Sequence, residues 1–99
     1  MVNLNDRPIK ITEVISKVLE NPEPLQTEAV LVLPQKGQVK VLNEVGARIW
    51  ELIDGKRSIG EIAQLIHGQY EVDQQQAETD IMEFISDLIN RELVTFVSS

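Results

Sequence analysis

The clearest pattern of apolar and polar residues lies in two short segments joined by a turn. Residues 28–33 (EAVLVL) are almost continuously apolar, which is typical of a central strand covered on both faces. Residues 34–37 (PQKG) have turn chemistry, because proline fixes φ and glycine tolerates a positive φ. Residues 38–42 (QVKVL) alternate, so their two faces are Val39 with Val41 and Gln38 with Lys40. The pattern predicts a β-hairpin.

Helical spacing replaces this alternation immediately after the hairpin. Asn43 is a good N-cap for a first helix. The apolar residues that follow it at helical spacing are Val45, Ile49, Leu52 and Ile53. We expect this helix to stop at Asp54, with Gly55 supplying a left-handed residue beyond its C-terminus.

Two further helices are predicted downstream. A capping box of the form S-x-x-E starts the second helix at Ser58, and we expect that helix to end near Gly68. Asp73 is the predicted cap of the third helix, which runs to about residue 90 or 91. Residues 92–97 are expected to be extended again.

The N-terminal quarter carries weaker signals. Residues 1–12 are polar and are expected to be loosely ordered. Residues 13–19 (EVISKVL) are rich in β-branched residues and form a strand or a short helix, and residues 20–27 contain two prolines and form a loop. The sequence therefore predicts one small α+β domain over residues 13–97. In this domain a small antiparallel sheet of two to three strands precedes three α-helices, as in a winged helix-turn-helix.

Composition limits the function. The chain of 99 residues has no cysteine, so disulfides and thiol catalysis are excluded. It has no apolar run near the ~20 residues that a membrane span needs, and its first residues lack the features of a signal peptide. We expect a cytoplasmic protein with no membrane partner.

The net charge of −7 is concentrated in one part of the chain. Residues 58–99 carry eight acidic residues and one base, Arg91, whereas residues 1–57 carry eight of each. The second and third predicted helices therefore lack the cations that give affinity for phosphate. We expect no nucleic-acid partner, and a winged-helix transcription regulator is a remote alternative.

Candidate catalytic chemistry is sparse. His67 is the only histidine, so a histidine-based metal site or a histidine–nucleophile pair would lack its second member. Several acidic side chains share the third helix, but nothing near them predicts a pocket that would raise a pKa. The glycines match no phosphate-binding spacing. We predict no catalytic residue, no metal site and no cofactor.

Two segments resemble a known family. LNEVGARIWELIDGKRSIGEIAQLI (residues 42–66) and YEVDQQQAETDIMEFISDLINRELV (residues 70–94) are similar to the PqqD family of peptide chaperones. The resemblance implies a precursor-peptide recognition element, which binds the leader segment of a ribosomally made peptide. It presents that leader to a modifying enzyme, commonly a radical S-adenosylmethionine (SAM) protein. The family is named for synthesis of the quinone cofactor PQQ, but the resemblance does not imply that product.

The resemblance also implies where the leader lies. In the family it adds as a strand along the sheet edge, beside the third helix. The corresponding edge residues are Gln38, Val39, Lys40, Val41 and Leu42. The corresponding helix is residues 73–91. Beyond the resemblance, we assign to the groove the stripe that successive turns of this helix form from Glu78, Met82, Ile85 and Ile89. Apolar residues of this helix cover an arc of roughly 160°, wider than the ~100° that packing on one side needs. Part of the arc can therefore face a groove; burial of the helix on two sides is the alternative.

Residues 43–55 are expected to be a structural joint that holds the edge strand and the helices in one geometry. Its members are Asn43, Gly46, Ile49, Trp50, Asp54 and Gly55. Gly46 would let a neighbouring segment approach the first helical turn, while Ile49 and Trp50 would anchor the helix against the sheet. The predicted function is a non-catalytic peptide-binding adaptor, expected as a monomer with a strand-swapped dimer as the alternative. A scaffold subunit that docks on an enzyme without binding a leader is the competing hypothesis.

Overall fold

The computed structural model describes residues 2–18 and 27–97 of the chain. These residues form five strands and three α-helices. The strands are β1 (Pro8–Lys10), β2 (Ile15–Val18), β3 (Thr27–Leu33), β4 (Gln38–Asn43) and β5 (Val94–Phe96). The helices are α1 (Glu44–Leu52), α2 (Ile59–Gln69) and α3 (Gln74–Asn90). A 3-10 turn, Pro34–Lys36, connects β3 to β4.

The main sheet has the strand order β2-β3-β4, and both pairings are antiparallel. This confirms the predicted hairpin and shows that residues 15–18 form a strand rather than a helix. The register of the hairpin pairs Val30 with Val41 and Val32 with Val39. Within the described residues no further strand pairs with the outer side of β4, so β4 is an edge strand. The predicted loop at residues 20–27 lies outside the described residues, apart from Thr27, which belongs to β3.

A second, two-stranded sheet was not predicted. β1 pairs antiparallel with β5, with Pro8 opposite Phe96 and Lys10 opposite Val94. The expectation that residues 1–12 are loosely ordered is wrong for Pro8–Lys10. Strands of three residues carry too little alternation to be recognised from sequence, and the partner lies more than 80 positions along the chain.

Local capping signals explain where the helices begin. The Asn43 side chain accepts a hydrogen bond from the backbone N–H of Gly46 at 2.8 Å, so one residue ends β4 and starts α1, as predicted. The capping box at the start of α2 is also confirmed, with reciprocal bonds of 2.9 and 3.1 Å between Ser58 and Glu61. Asp73 does flank the start of α3, but its side chain makes no capping hydrogen bond.

Two predicted helix ends need correction. α1 ends at Leu52 rather than Asp54, because the Asp54 carboxylate accepts hydrogen bonds from the backbone N–H groups of Lys56 and Arg57 and so holds a turn. Gly55 does take the left-handed conformation, with φ of 79°. α2 continues past Gly68 to Gln69, because Gly68 does not take the left-handed conformation that would end the helix.

The core lies where the three helices meet the inner face of the main sheet. Its buried strand residues are Ala29, Leu31, Leu33 and Leu42, and its fully buried helix residues include Ile59, Ile62, Ile81 and Ile85. Among the described residues no polar or charged residue is buried. The opposite face of β3 is only half-covered, at Val30 and Val32. The predicted fold class, α+β with a small antiparallel sheet followed by three helices, is confirmed.

Candidate functional site

A groove of about 420 Å³ lies between the edge strand β4 and helix α3, and the first turn of α1 closes one end of it. Apolar side chains supply most of its lining, namely Val41, Leu42, Val45, Ile49, Val72 and Phe84. Polar groups enter it from Lys40, Asn43 and Asp80. An apolar groove beside a sheet edge suits an extended peptide, whose backbone can pair with the edge strand.

The joint gives the groove its shape. A Cβ atom placed on Gly46 would lie 3.3 Å from Cε1 of Phe84 and 3.3 Å from Oδ1 of Asn43, closer than ordinary van der Waals contact. Glycine at this position therefore lets the Phe84 ring close against the first turn of α1. Ile49 and Trp50, the predicted anchors of α1, are both buried.

The open side of β4 presents backbone hydrogen-bonding groups. Nη1 of Arg91 donates a hydrogen bond to the carbonyl oxygen of Val39 at 3.4 Å, so this carbonyl points away from β3. In an antiparallel pair the N–H and C=O of one residue point to the same side, and successive residues alternate. The backbone groups of Val39 and Val41 therefore both face the open edge, where a further strand could pair with them.

Charged residues mark the C-terminal end of α3. The Asp87 carboxylate accepts a hydrogen bond from Nε of Arg91 at 2.9 Å and pairs with Nζ of Lys40 at 3.0 Å. Nζ of Lys40 also lies 6.0 Å from the centroid of the Phe84 ring, within range of a cation–π contact. Partial burial would raise the pKa of Asp87, but the hydrogen bonds from Lys40 and Arg91 together outweigh it and lower that pKa.

The α3 residues that face β4 differ from the predicted stripe. They are Asp80, Phe84 and Asp87, together with Arg91 just beyond the helix end, and these four fall within a narrow arc at about 100° per residue. Of the predicted residues, Ile85 is 0% exposed and belongs to the core. Glu78, Met82 and Ile89 lie on the opposite flank of the buried stripe, roughly 120–160° from Phe84. Ile89 lines a separate cavity beside Leu33 and Val94.

The two predicted faces of β4 point to opposite sides of the sheet, and the valine face is the outer one. Val39 and Val41 are 53% and 54% exposed, on the same outer face of the sheet as Ile15, which is 58% exposed. Lys40 instead turns toward α3, where Asp87 and Phe84 receive its side chain. The structure thus brings all five predicted edge residues to the strand beside the groove. Of these, Lys40, Val41 and Leu42 line it.

A second cavity, of about 310 Å³, lies on the other side of α1. Nζ of Lys10 lies 4.8 Å from the centroid of the Trp50 ring in this cavity. Burial lowers the pKa of Lys10, and this effect exceeds the opposite effect of the negative charges on Glu51 and Asp54, which raise it. The indole N–H of Trp50 is buried and has no hydrogen-bond partner among the described residues. Neither this cavity nor the Lys10 contact was predicted, because β1 was not.

Other chemistry is limited in the described residues. Residues 2–18 and 27–97 contain no cluster of three histidine, cysteine or acidic side chains that could hold a metal ion. Nδ1 of His67 lies 2.6 Å from the carbonyl oxygen of Val72, on the surface. None of the helices formed by these residues is long and apolar enough to cross a bilayer.

Fold and groove together define a small domain in which the open edge of β4 lies against a third helix, a class of peptide-recognition fold. The family model described as Coenzyme PQQ synthesis protein D (PqqD) matches residues 28–94. The chain belongs to the PqqD family. No curated protein matches it.

Solved structures share the fold. TbiB1 in complex with the TbiA(beta) leader peptide is 30% identical, with a TM-score of 0.76, over 92% of this chain and 99% of that one. A lasso peptide synthetase B1 complexed with the leader peptide is 21% identical, with a TM-score of 0.75, over 90% of this chain and 98% of that one. The PqqD truncation of Methylobacterium extorquens PqqCD is a stand-alone recognition element for a ribosomally synthesized and post-translationally modified peptide (RiPP). It is 21% identical, with a TM-score of 0.77, over 96% of this chain and 95% of that one.

Proposed function

We propose that this protein binds the leader segment of a ribosomally made precursor peptide as an added strand on β4 and presents it to a modifying enzyme. One observation carries the proposal: the backbone groups of Val39 and Val41 face an open edge beside an apolar groove. The 30%-identical TbiB1, which this chain matches over 99% of its length, is in complex with a leader peptide. Family membership supports the same function.

Strand addition explains how such a site would work. Hydrogen bonds between backbones supply affinity that is independent of sequence, while pockets for alternate side chains supply specificity. A leader strand paired with Val39 and Val41 would send every second side chain toward α3. Those side chains would meet the surfaces of Leu42, Ile49 and Phe84, which line the groove. Removing these apolar surfaces from water would stabilise the complex.

The protein's role is to bind and present, and the enzyme partner carries the chemistry. We assign this chain no catalytic residue and no cofactor. A radical SAM enzyme is the partner class that the family resemblance favours. The exposed apolar face formed by Ile15, Val39 and Val41 lies on the outer side of the main sheet, away from the groove. This face would stay accessible to the enzyme while a leader is bound.

The proposal is tested by titrating the ¹⁵N-labelled full chain with the leader of a candidate precursor peptide from the same organism. We expect the largest amide shifts at residues 38–43 and at Phe84, and slower hydrogen exchange at Val41, whose N–H gains a partner. A scrambled leader of the same composition is the control. Shifts confined to α2 would overturn the site, and a modifying enzyme that binds without any leader binding would favour the scaffold hypothesis.

A further inference from the structure

The two ends of the groove carry opposite excess charge. At the Gln38 end, Lys40 and Arg91 share the single carboxylate of Asp87. The neighbouring Lys36 and Glu92 pair with each other at 3.4 Å. Among the charged groups that border β4, two cations therefore share one anion; Glu83, one turn before Asp87 on α3, lines a separate depression with Met82 and Ser86.

The opposite end carries an acid. Asp80 lines the groove near Asn43, and its carboxylate accepts a hydrogen bond at 2.8 Å from the neutral amide of Gln76. Within the part of the chain that the structure describes, no lysine or arginine pairs with it. A negative charge is therefore available to a basic side chain of a bound peptide.

The sheet sets the direction in which a peptide would meet these charges. Both pairings in the main sheet are antiparallel, and antiparallel pairing is slightly more stable per residue. β4 runs from Gln38 to Asn43, so an antiparallel strand on its open edge starts at the Asp80 end and finishes at the Arg91 end.

The spacing of the charges matches the repeat of a strand. Along α3 the rise from Asp80 is about 10 Å to Asp87 and about 16 Å to Arg91. A strand advances about 13 Å in four residues, and residues i, i+2 and i+4 share one face. The middle position of that face would lie against Leu42 and Phe84, the apolar part of the lining.

We propose that the groove selects leader segments with the order basic, apolar, acidic at alternating positions i, i+2 and i+4, running antiparallel to β4. This inference rests on the proposed function and adds the class of sequence that the site recognises. Asp80 pairs with the basic residue, while Lys40 and Arg91 pair with the acidic one. Arg91 releases the carbonyl of Val39 when a leader N–H replaces it. That exchange costs little, because the bond is 3.4 Å long and exposed to solvent.

A display selection on random peptides tests the inference directly. A random 12-residue peptide library is selected on the immobilised full chain. It is counter-selected on a Val41→Pro variant, which lacks the outward-facing N–H. We expect enriched peptides to share the order basic–x–apolar–x–acidic. Enrichment that depends on Val41 but shows no charge order, or the reverse order, would overturn this inference and leave the proposed function standing. No enrichment over the variant would overturn both.

Synthetic peptides then measure the effect. The best enriched peptide is compared with one of identical composition in which the basic and acidic residues are exchanged. We expect the exchanged peptide to bind about tenfold more weakly at ~50 mM salt and only about twofold more weakly at ~500 mM, where screening is strong. Equal affinities at low salt would contradict the proposal.

Variants assign the charges to residues. Asp80→Lys and Arg91→Gln should each reduce the preference between the two peptides by about threefold. Glu51→Lys is the matched control, because Glu51 is exposed and lies on the other side of α1, outside the groove, while the change in net charge equals that of Asp80→Lys. If Glu51→Lys alters the preference as much as Asp80→Lys, net charge rather than groove position is responsible and the assignment fails.

Discussion

Truncation of Trp50 is the change whose effect on stability follows most directly from the structure. The side chain is 5% exposed and packs in the core that holds α1 against the sheet. Replacing a buried tryptophan by alanine costs about 3–5 kcal/mol. A domain of this size has a free energy of unfolding of about 5–15 kcal/mol. We therefore expect Trp50→Ala to lower the Tm by about 15 °C or more, at about 4–8 °C per kcal/mol.

The indole N–H makes this prediction sharper. It is buried without a hydrogen-bond partner among the described residues, and an unpaired buried donor costs about 1–3 kcal/mol. Trp50→Phe removes that donor and keeps an aromatic ring. The relief of the penalty offsets much of the lost packing, so we expect Trp50→Phe to stay within about 1.5 kcal/mol of the wild type.

Urea unfolding followed by far-ultraviolet circular dichroism measures both variants, since tryptophan fluorescence is itself changed by the substitution. The wild type and Trp50→Phe should unfold at similar urea concentrations, well above Trp50→Ala. A Trp50→Ala curve close to that of the wild type would show that Trp50 does not anchor α1. Equal losses in the two variants would contradict the penalty assigned to the unpaired indole N–H.

Two further changes test the turn and the charged cluster. Gly55→Ala should destabilise the protein by about 1–2 kcal/mol, because φ is 79° at this position. Gly68→Ala should instead stabilise it by about 0.5–1 kcal/mol, because Gly68 lies in a helix and has open space around it. Chemical denaturation measures both variants, and equal effects on the free energy of unfolding would contradict the argument. Asp87→Asn should cost at most about 1 kcal/mol near pH 7, since Lys40 and Arg91 lower the pKa of the folded carboxyl. The stability that the charged Asp87 contributes is present above the ordinary pKa of 3.8 and is lost as the pH falls through the lowered value. The wild type and Asp87→Asn should therefore have equal free energies of unfolding in acid. A difference that persists in acid would point to another cause.

Local signals in the sequence predicted the elements that depend on them. Asn43, the capping box at Ser58 and the left-handed Gly55 each act through their own neighbours along the chain. The hairpin followed from the contrast between a continuous and an alternating apolar segment. Gly46 was expected to let a neighbouring segment approach the first turn of α1, and Phe84 of α3 does so. The family resemblance, and not the sequence pattern, predicted that the third helix lies beside the sheet edge.

Features that depend on how elements pack could not be predicted in the same way. Alternation along β4 shows that Val39 and Val41 share a face, but not that this face is the exposed one. The period of α3 gives the width of its apolar arc and not the flank that borders β4. Docking of α3 against the sheet decides that question, and it brings Phe84 and Asp80 to the groove in place of Met82.

The central claim is that backbone groups on the open edge of β4 bind the leader. Val41→Pro tests it most directly, because the proline removes an outward-facing N–H while the inward-facing groups of its neighbours still pair with β3. Val41→Ala is the matched control, since it shortens the same side chain and keeps the N–H. Affinity for the leader, measured by fluorescence anisotropy on variants that fold as the wild type does, should fall at least about tenfold for Val41→Pro. It should change by less than about threefold for Val41→Ala. Equal affinity of Val41→Pro and the wild type would contradict strand addition on β4.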